Sequence, residues 1–145
     1  MLVGAAGAGR RSLAKALFPC DISAVQHVMA AQYCGPFVFP PPEFLENRRF
    51  YHMLITLGAE CDTLFFVQSA TSAISVFPPG FACTFNRTVV GIVSKSDASN
   101  ADTDRATRLL RTAGVQDIRL VSTVAACPAL EQLRQEFFSP TSQLP

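Results

Sequence analysis

The residues best suited to chemistry stand at the start of the chain, where Gly4-Ala-Ala-Gly-Ala-Gly9-Arg10-Arg11-Ser12 follows a short apolar run, Met1 to Val3, and leads into Leu13, Ala16 and Leu17 at helical spacing. This is the setting of a phosphate loop. In the pattern GxxxxGK[ST], glycines let consecutive backbone N–H groups wrap a phosphate, a lysine reaches the outer phosphates, and a hydroxyl binds Mg2+. Gly4, Gly7 and Gly9 keep the glycine framework, but Arg10 replaces the lysine, Arg11 replaces the hydroxyl, and Ser12 comes one position late. Arginine keeps the charge and adds a planar fork, so the exchange changes what a tight loop can hold. The same glycines would also serve a strand-to-helix turn that only packs closely. Taken alone, the loop leaves both readings open.

Other reactive side chains form no constellation. The five cysteines (Cys20, Cys34, Cys61, Cys83 and Cys127) include no CxxC pair, and neither His27 nor His52 lies at metal-ligand spacing from a cysteine or carboxylate. An odd, scattered set argues against a disulfide framework and for reduced thiols in the cytosol. No metal site and no catalytic residue are expected from them.

The elements that must position the loop follow from apolar patterning. The runs Thr63 to Val67, Val89 to Val93 and Ile118 to Val121 are short, β-branched or aromatic and mostly uninterrupted, as in strands covered on both faces. Between them, Ala106, Leu109, Leu110 and Ala113 give one buried face to a helix over Asp102 to Ala113, ended by Gly114. Asp102 and Asp104 at its start and Arg108 and Arg111 near its end complement the macrodipole. A helix over Glu43 to Leu57 should turn Phe44, Tyr51, Leu54 and Ile55 inward and Glu46, Arg48, Arg49 and His52 outward. A last helix, Pro128 to Phe138, should bury Leu130, Leu133 and Phe137. Strand, glycine loop, helix, then alternating strands and helices is the order of a doubly wound α/β domain, which binds ligands beyond its strand C-terminal ends. The expected organisation is one domain over residues 1–138 and a frayed tail over 139–145. Phe77-Pro-Pro-Gly-Phe81 with Phe85 would either expose a partner surface or cap the core.

Bulk properties set the remaining bounds. A chain of 145 residues with 12 Lys and Arg against 11 Asp and Glu carries a formal net charge of +1, which points away from nucleic acid. No run approaches the ~20 apolar residues of a membrane span, and the apolar start, broken by glycines, lacks the charged beginning and the length of a signal peptide. The expected location is the cytoplasm.

Four segments carry a family resemblance: Glu43-Phe-Leu-Glu-Asn-Arg-Arg-Phe-Tyr51, Val67-Gln-Ser-Ala70, Phe77-Pro-Pro-Gly-Phe81 and Val90-Gly-Ile-Val-Ser-Lys-Ser-Asp97. In order and spacing they resemble the EutP/PduV family, phosphate-loop proteins of ethanolamine- and propanediol-utilisation systems associated with bacterial microcompartments. The resemblance implies a three-layer P-loop NTPase fold of the Ras-like GTPase kind, with a mostly parallel sheet flanked by helices. In that family a DTPGEYLENR-like segment supplies an Asp that supports Mg2+ and a Gly whose N–H faces the γ phosphate. Here the segment reads Phe39-Pro-Pro-Pro-Glu43, so Phe39 takes the Asp position and Pro42, which has no N–H, takes the Gly position. The family's KTQ segment aligns with Ala24-Val25-Gln26, which puts Val25 in place of its Thr. Ser94-Lys95-Ser96-Asp97 resembles the [NT]KxD guanine signature, in which Asp accepts from the base and Lys packs on it; Ser122 and the residues after it resemble the loop that touches the base. Without the family, Lys95 and Asp97 read as a solvated loop before a helix.

The changes at Arg11, Val25 and Phe39 converge on the metal shell, and phosphoryl transfer depends on metal and cationic charge at the phosphates. The functional expectation is a degenerate, GTPase-like protein. GTP, GDP or ATP would meet Gly4, Gly7, Gly9, Arg10, Arg11 and Ser12 at the phosphates and Lys95, Asp97 and Ser122 at the base, with Mg2+ not bound and hydrolysis lost. A working nucleotide hydrolase or acetate kinase with Arg10 replacing lysine is one alternative. Another is a nucleotide-free scaffold or half of a composite site, partnered by a microcompartment protein or a related paralogue.

Overall fold

The computed structural model describes residues 1–18, 30–123 and 127–138. Strands β1 (Leu2–Gly4), β4 (Thr63–Ser69), β5 (Thr88–Ser94) and β6 (Asp117–Leu120) form a parallel sheet in the order β1-β4-β5-β6. The strands β2 (Gln32–Cys34) and β3 (Phe37–Phe39) make a separate antiparallel hairpin. The helices are α1 (Arg10–Leu17), α2 (Glu43–Glu46), α3 (Tyr51–Ala59), α4 (Thr103–Thr112) and α5 (Pro128–Phe138).

Alternation along the strands gives the layers. In β4, Leu64 and Phe66 enter one buried cluster with Phe44 of α2, Leu54 of α3 and Leu110 of α4, while Phe65 and Val67 enter a second with Leu13 and Leu17 of α1 and Leu133 of α5. Successive strand side chains point to opposite faces, so a strand buried on both faces is mostly apolar; the edge strand β6, expected to be covered on both faces, instead leaves Asp117 and Leu120 exposed. The arrangement is helices, sheet, helices, as the family resemblance implied.

Expected and observed elements differ in the helix after Pro42 and in a hairpin, and the structure decides between the two readings of the aromatic loop. The helix expected over Glu43 to Leu57 is broken: α2 ends at Asn47, which is extended (φ −121°, ψ 113°) and accepts a hydrogen bond from Arg49 N–H at 3.2 Å, and a 3-10 turn over Arg48–Phe50 leads into α3. The break rotates the following helix, so Ile55, expected inward, is an exposed residue. The β2–β3 hairpin had no sequence signal. The aromatic loop between β4 and β5 caps the core: Phe77, Phe81 and Phe85 are buried, Phe77 stacks on Phe66 with centroids 4.6 Å apart, and Gly80 and Ala82 donate to the Thr112 and Ala113 carbonyls. This loop, with one 3-10 turn, makes a parallel crossover that a helix usually makes.

α4 follows its pattern closely. Asp102 is its N-cap, accepting from Arg105 N–H at 2.9 Å, and Gly114 takes the positive φ of 93° after its end. Among the described residues, no helix is long and apolar enough to cross a membrane. Ala24-Val25-Gln26 and the tail over 139–145 lie outside the described residues.

Candidate functional site at the glycine loop

The loop between β1 and α1 is held from beneath by the sheet. Gly4 lies so close to β4 that a Cβ there would stand 2.8 Å from the Val67 carbonyl oxygen, and Gly7 and Gly9 adopt left-handed φ values of 79° and 98°. Among the described residues, the only inward backbone bond of the loop is Ala8 N–H to Ala5 O (3.1 Å), and the first helical bond is Leu13 N–H to Gly9 O (3.0 Å). The N–H groups of Arg10, Arg11 and Ser12 are therefore the orphan donors of a helix start. They border a cleft of about 300 Å³ whose walls are residues 5–12 on one side and Gln32, Phe39, Pro40, Pro41 and Pro42 on the other.

Arg10 and Arg11 share the cleft but not a role. The Arg10 side chain folds under the loop, and its Nη1 donates to the Leu2 carbonyl at 3.1 Å and to the Pro40 carbonyl at 2.7 Å. Burial, and after it the charge of Arg11, push the Arg10 guanidinium down to about 10, with Glu43 and Glu46 acting in the other direction. Arg11 is exposed and makes no hydrogen bond or ion pair among the described residues, so its guanidinium is available to the cleft. Ser12 lines the cleft as well.

The opposite wall does not fit magnesium. Phe39 is 4% exposed and belongs to the cluster that includes Phe37, Leu13 and Val67, with its ring 6.2 Å from that of Phe37. No side-chain oxygen ligand stands at that position, and a guanidinium occupies position 11. The phosphates of a nucleotide do fit, since orphan N–H groups and an exposed guanidinium face a cleft of sufficient size.

The base-side loops join the site through two tethers. Ser94 at the end of β5, 5% exposed, donates its hydroxyl to the Ala8 carbonyl at 2.6 Å, and the Lys95 ammonium donates to the Gly7 carbonyl at 2.8 Å. Lys95 is the non-glycine residue with positive φ among those described, at 57°. Ser96 N–H reaches the Val121 carbonyl at 3.5 Å, which brings the Lys95–Asp97 loop beside buried Ser122. Asp97 is exposed and makes no hydrogen bond or ion pair among the described residues. Gly4, Gly7, Gly9, Arg10, Arg11, Ser12, Lys95, Asp97 and Ser122 thus gather at the C-terminal edge of the sheet. Sequence reasoning missed the tether from Ser94 and the hold of Arg10 on Pro40. The second has no sequence signal because its acceptor is a backbone carbonyl.

A parallel sheet with a glycine loop after β1 and a Lys-x-Asp loop after β5 defines a P-loop, GTPase-like α/β protein. A family model described as ethanolamine utilisation and propanediol utilisation (PduV-EutP) matches residues 1–137, and the chain belongs to that family. "Propanediol utilization protein PduV" of Citrobacter freundii is 32% identical over 100 residues, covering 69% of this chain and 66% of that protein. "Probable acetate kinase EutP" of Salmonella typhimurium is 31% identical over 117 residues, covering 79% of this chain and 73% of that protein. The protein of the same name from Escherichia coli is 27% identical over 117 residues. The chain thus spans just under two thirds of the length of the first of these relatives and somewhat more of the others.

Proposed function

We propose that this protein binds the phosphates of a nucleotide without magnesium and without turning them over, as an accessory protein of ethanolamine- or propanediol-type utilisation in the cytoplasm. The observation that carries the reading is the pairing of an exposed Arg11 guanidinium with a wall, Phe39 to Pro42, that offers no metal ligand. One unit-charge pair at about 4 Å and an effective dielectric near 20 is worth roughly 4 kcal/mol before desolvation, enough for Arg11 to supply part of the charge that a metal would bring. Lys95, Asp97 and Ser122 would favour guanine. A kinase or hydrolase would need a metal shell at the outer phosphates, for which Phe39 to Pro42 offer no side-chain ligand. A protein partner, from a microcompartment or a related paralogue, would then read the bound state.

The test is a thermal-shift titration with GTP, GDP, ATP and ADP, each in magnesium and in EDTA, beside a hydrolysis assay and an assay of phosphoryl transfer to acetate. A ligand at about 100 times its Kd adds roughly 2.7 kcal/mol, a shift of several degrees for a domain of this size. The expected result is a shift of equal size in both buffers, with no turnover. A shift that requires magnesium, or turnover above background, overturns the reading.

A further inference from the structure

Resting on the phosphate-binding reading, we propose that Arg10 is an anion-operated latch: it fastens the Pro40–Pro42 segment to the glycine loop, and an entering phosphate group takes the guanidinium away from Pro40 and releases the start of α2.

The bond from Arg10 Nη1 to the Pro40 carbonyl, at 2.7 Å, is the shorter of its two and joins residues thirty apart in the chain. It lies on a wall of the cleft, so a phosphate bound there comes within reach of the same guanidinium. Both acceptors of Arg10 are neutral carbonyls, and its other N–H groups find no acceptor among the described residues. A half-buried cation whose hydrogen bonds go only to carbonyls, with Glu43 and Glu46 acting on it through charge alone, is poorly compensated, and a phosphate oxygen offers both charge and a hydrogen bond. The depressed proton affinity of Arg10, caused first by burial and then by Arg11, is the electrostatic sign of that deficit.

The far side of the latch is built to transmit release. Pro40, Pro41 and Pro42 have no N–H, so none can donate to the loop or to a neighbouring strand. α2 begins on this tract: Phe44 N–H donates to the Pro41 carbonyl, and Leu45 and Glu46 N–H donate to the Pro42 carbonyl, all at 3.0 Å. Three stiff prolines pass a displacement at Pro40 directly to those acceptors. α2 is one short turn that ends at Asn47, so it can shift without bending α3.

Hydrogen exchange of the intact protein in EDTA, with and without sodium pyrophosphate, reads this directly, with a thermal shift run in parallel to establish binding. Pyrophosphate should speed exchange at the Phe44, Leu45 and Glu46 amides by about tenfold, the scale of losing one charge-assisted hydrogen bond, while amides of β4 and β5 stay protected. Arg10→Gln should show the fast exchange before any pyrophosphate is added and no further increase after it. The wild-type comparison stands even if that variant does not fold. A thermal shift with unchanged or slower α2 exchange sinks the latch and leaves anion binding intact. No thermal shift at any pyrophosphate concentration sinks both.

Discussion

The two sides of the glycine loop are built in opposite ways. On the base side, Ser94 and Lys95 bond to the Ala8 and Gly7 carbonyls, so the side chains that resemble a guanine signature also hold the glycine loop in place. On the other side, Phe39 packs into the core and three prolines follow it, so that wall is a continuation of the hydrophobic interior. A residue with a folding role is kept whether or not a ligand binds, whereas one that only holds a ligand has no second reason to stay. Lys95 and Ser94 are therefore weaker witnesses to base recognition than their types suggest. Asp97, whose side chain makes no hydrogen bond or ion pair among the described residues, is the better witness.

The largest effect should come from placing a carboxylate at position 39. Phe39→Asp removes a buried ring, which costs roughly 3–5 kcal/mol by truncation alone, and adds the desolvation of a carboxylate. Urea denaturation should show a protein at or beyond the edge of folding. If Phe39→Asp instead keeps wild-type stability and gains magnesium-dependent nucleotide binding, Phe39 is not needed as core, and the contrast between the two sides fails.

On the base side the expected losses are smaller. Ser94→Ala deletes a buried hydroxyl and leaves the Ala8 carbonyl without that donor, at a cost of about 1–3 kcal/mol. A neutral result in chemical denaturation would show that the tether does not stabilise the loop. Next in size is a pair at Lys95. Lys95→Ala loses the bond to Gly7 and keeps a side chain at a φ of 57°, whereas Lys95→Gly loses the same bond but relieves the strain, which costs about 1 kcal/mol in the left-handed region. The glycine variant should be the more stable of the two; the reverse order would mean that the backbone there is not strained.

How much of this was legible depended on where the signal lay. α4 and α5 were read nearly to the residue because their apolar spacing, the Asp102 cap, Gly114 and Pro128 agree with one another. The break at Asn47 was missed because Phe44, Tyr51 and Leu54 continue a helical period across it, although an asparagine followed two residues later by its bonded N–H is a cap signal. The β2–β3 hairpin escaped because its strands have three residues each, too few to show a period. Glycine spacing located the cleft. The division of labour between Arg10 and Arg11 was invisible, since the sequence names the cations and only the fold shows that one is spent on carbonyls.

The smallest effect on stability and the sharpest on recognition should meet at Asp97. Its carboxylate is exposed and forms no hydrogen bond or ion pair among the described residues, so Asp97→Ala should change the denaturation midpoint by less than about 0.5 kcal/mol. A carboxylate that accepts from the N1–H and 2-amino donors of guanine loses both partners in adenine, which has an acceptor at N1 and no 2-amino group. Its loss should therefore remove any preference for GDP over ADP in a competition experiment, while leaving the affinity for pyrophosphate as it was. That pattern would assign base recognition to the one residue of the loop with no part in folding. An unchanged preference for GDP, or equal binding of GDP and ADP by the wild type, would mean that Ser94 and Lys95 persist as tethers alone, and that the cleft selects phosphates without regard to the base.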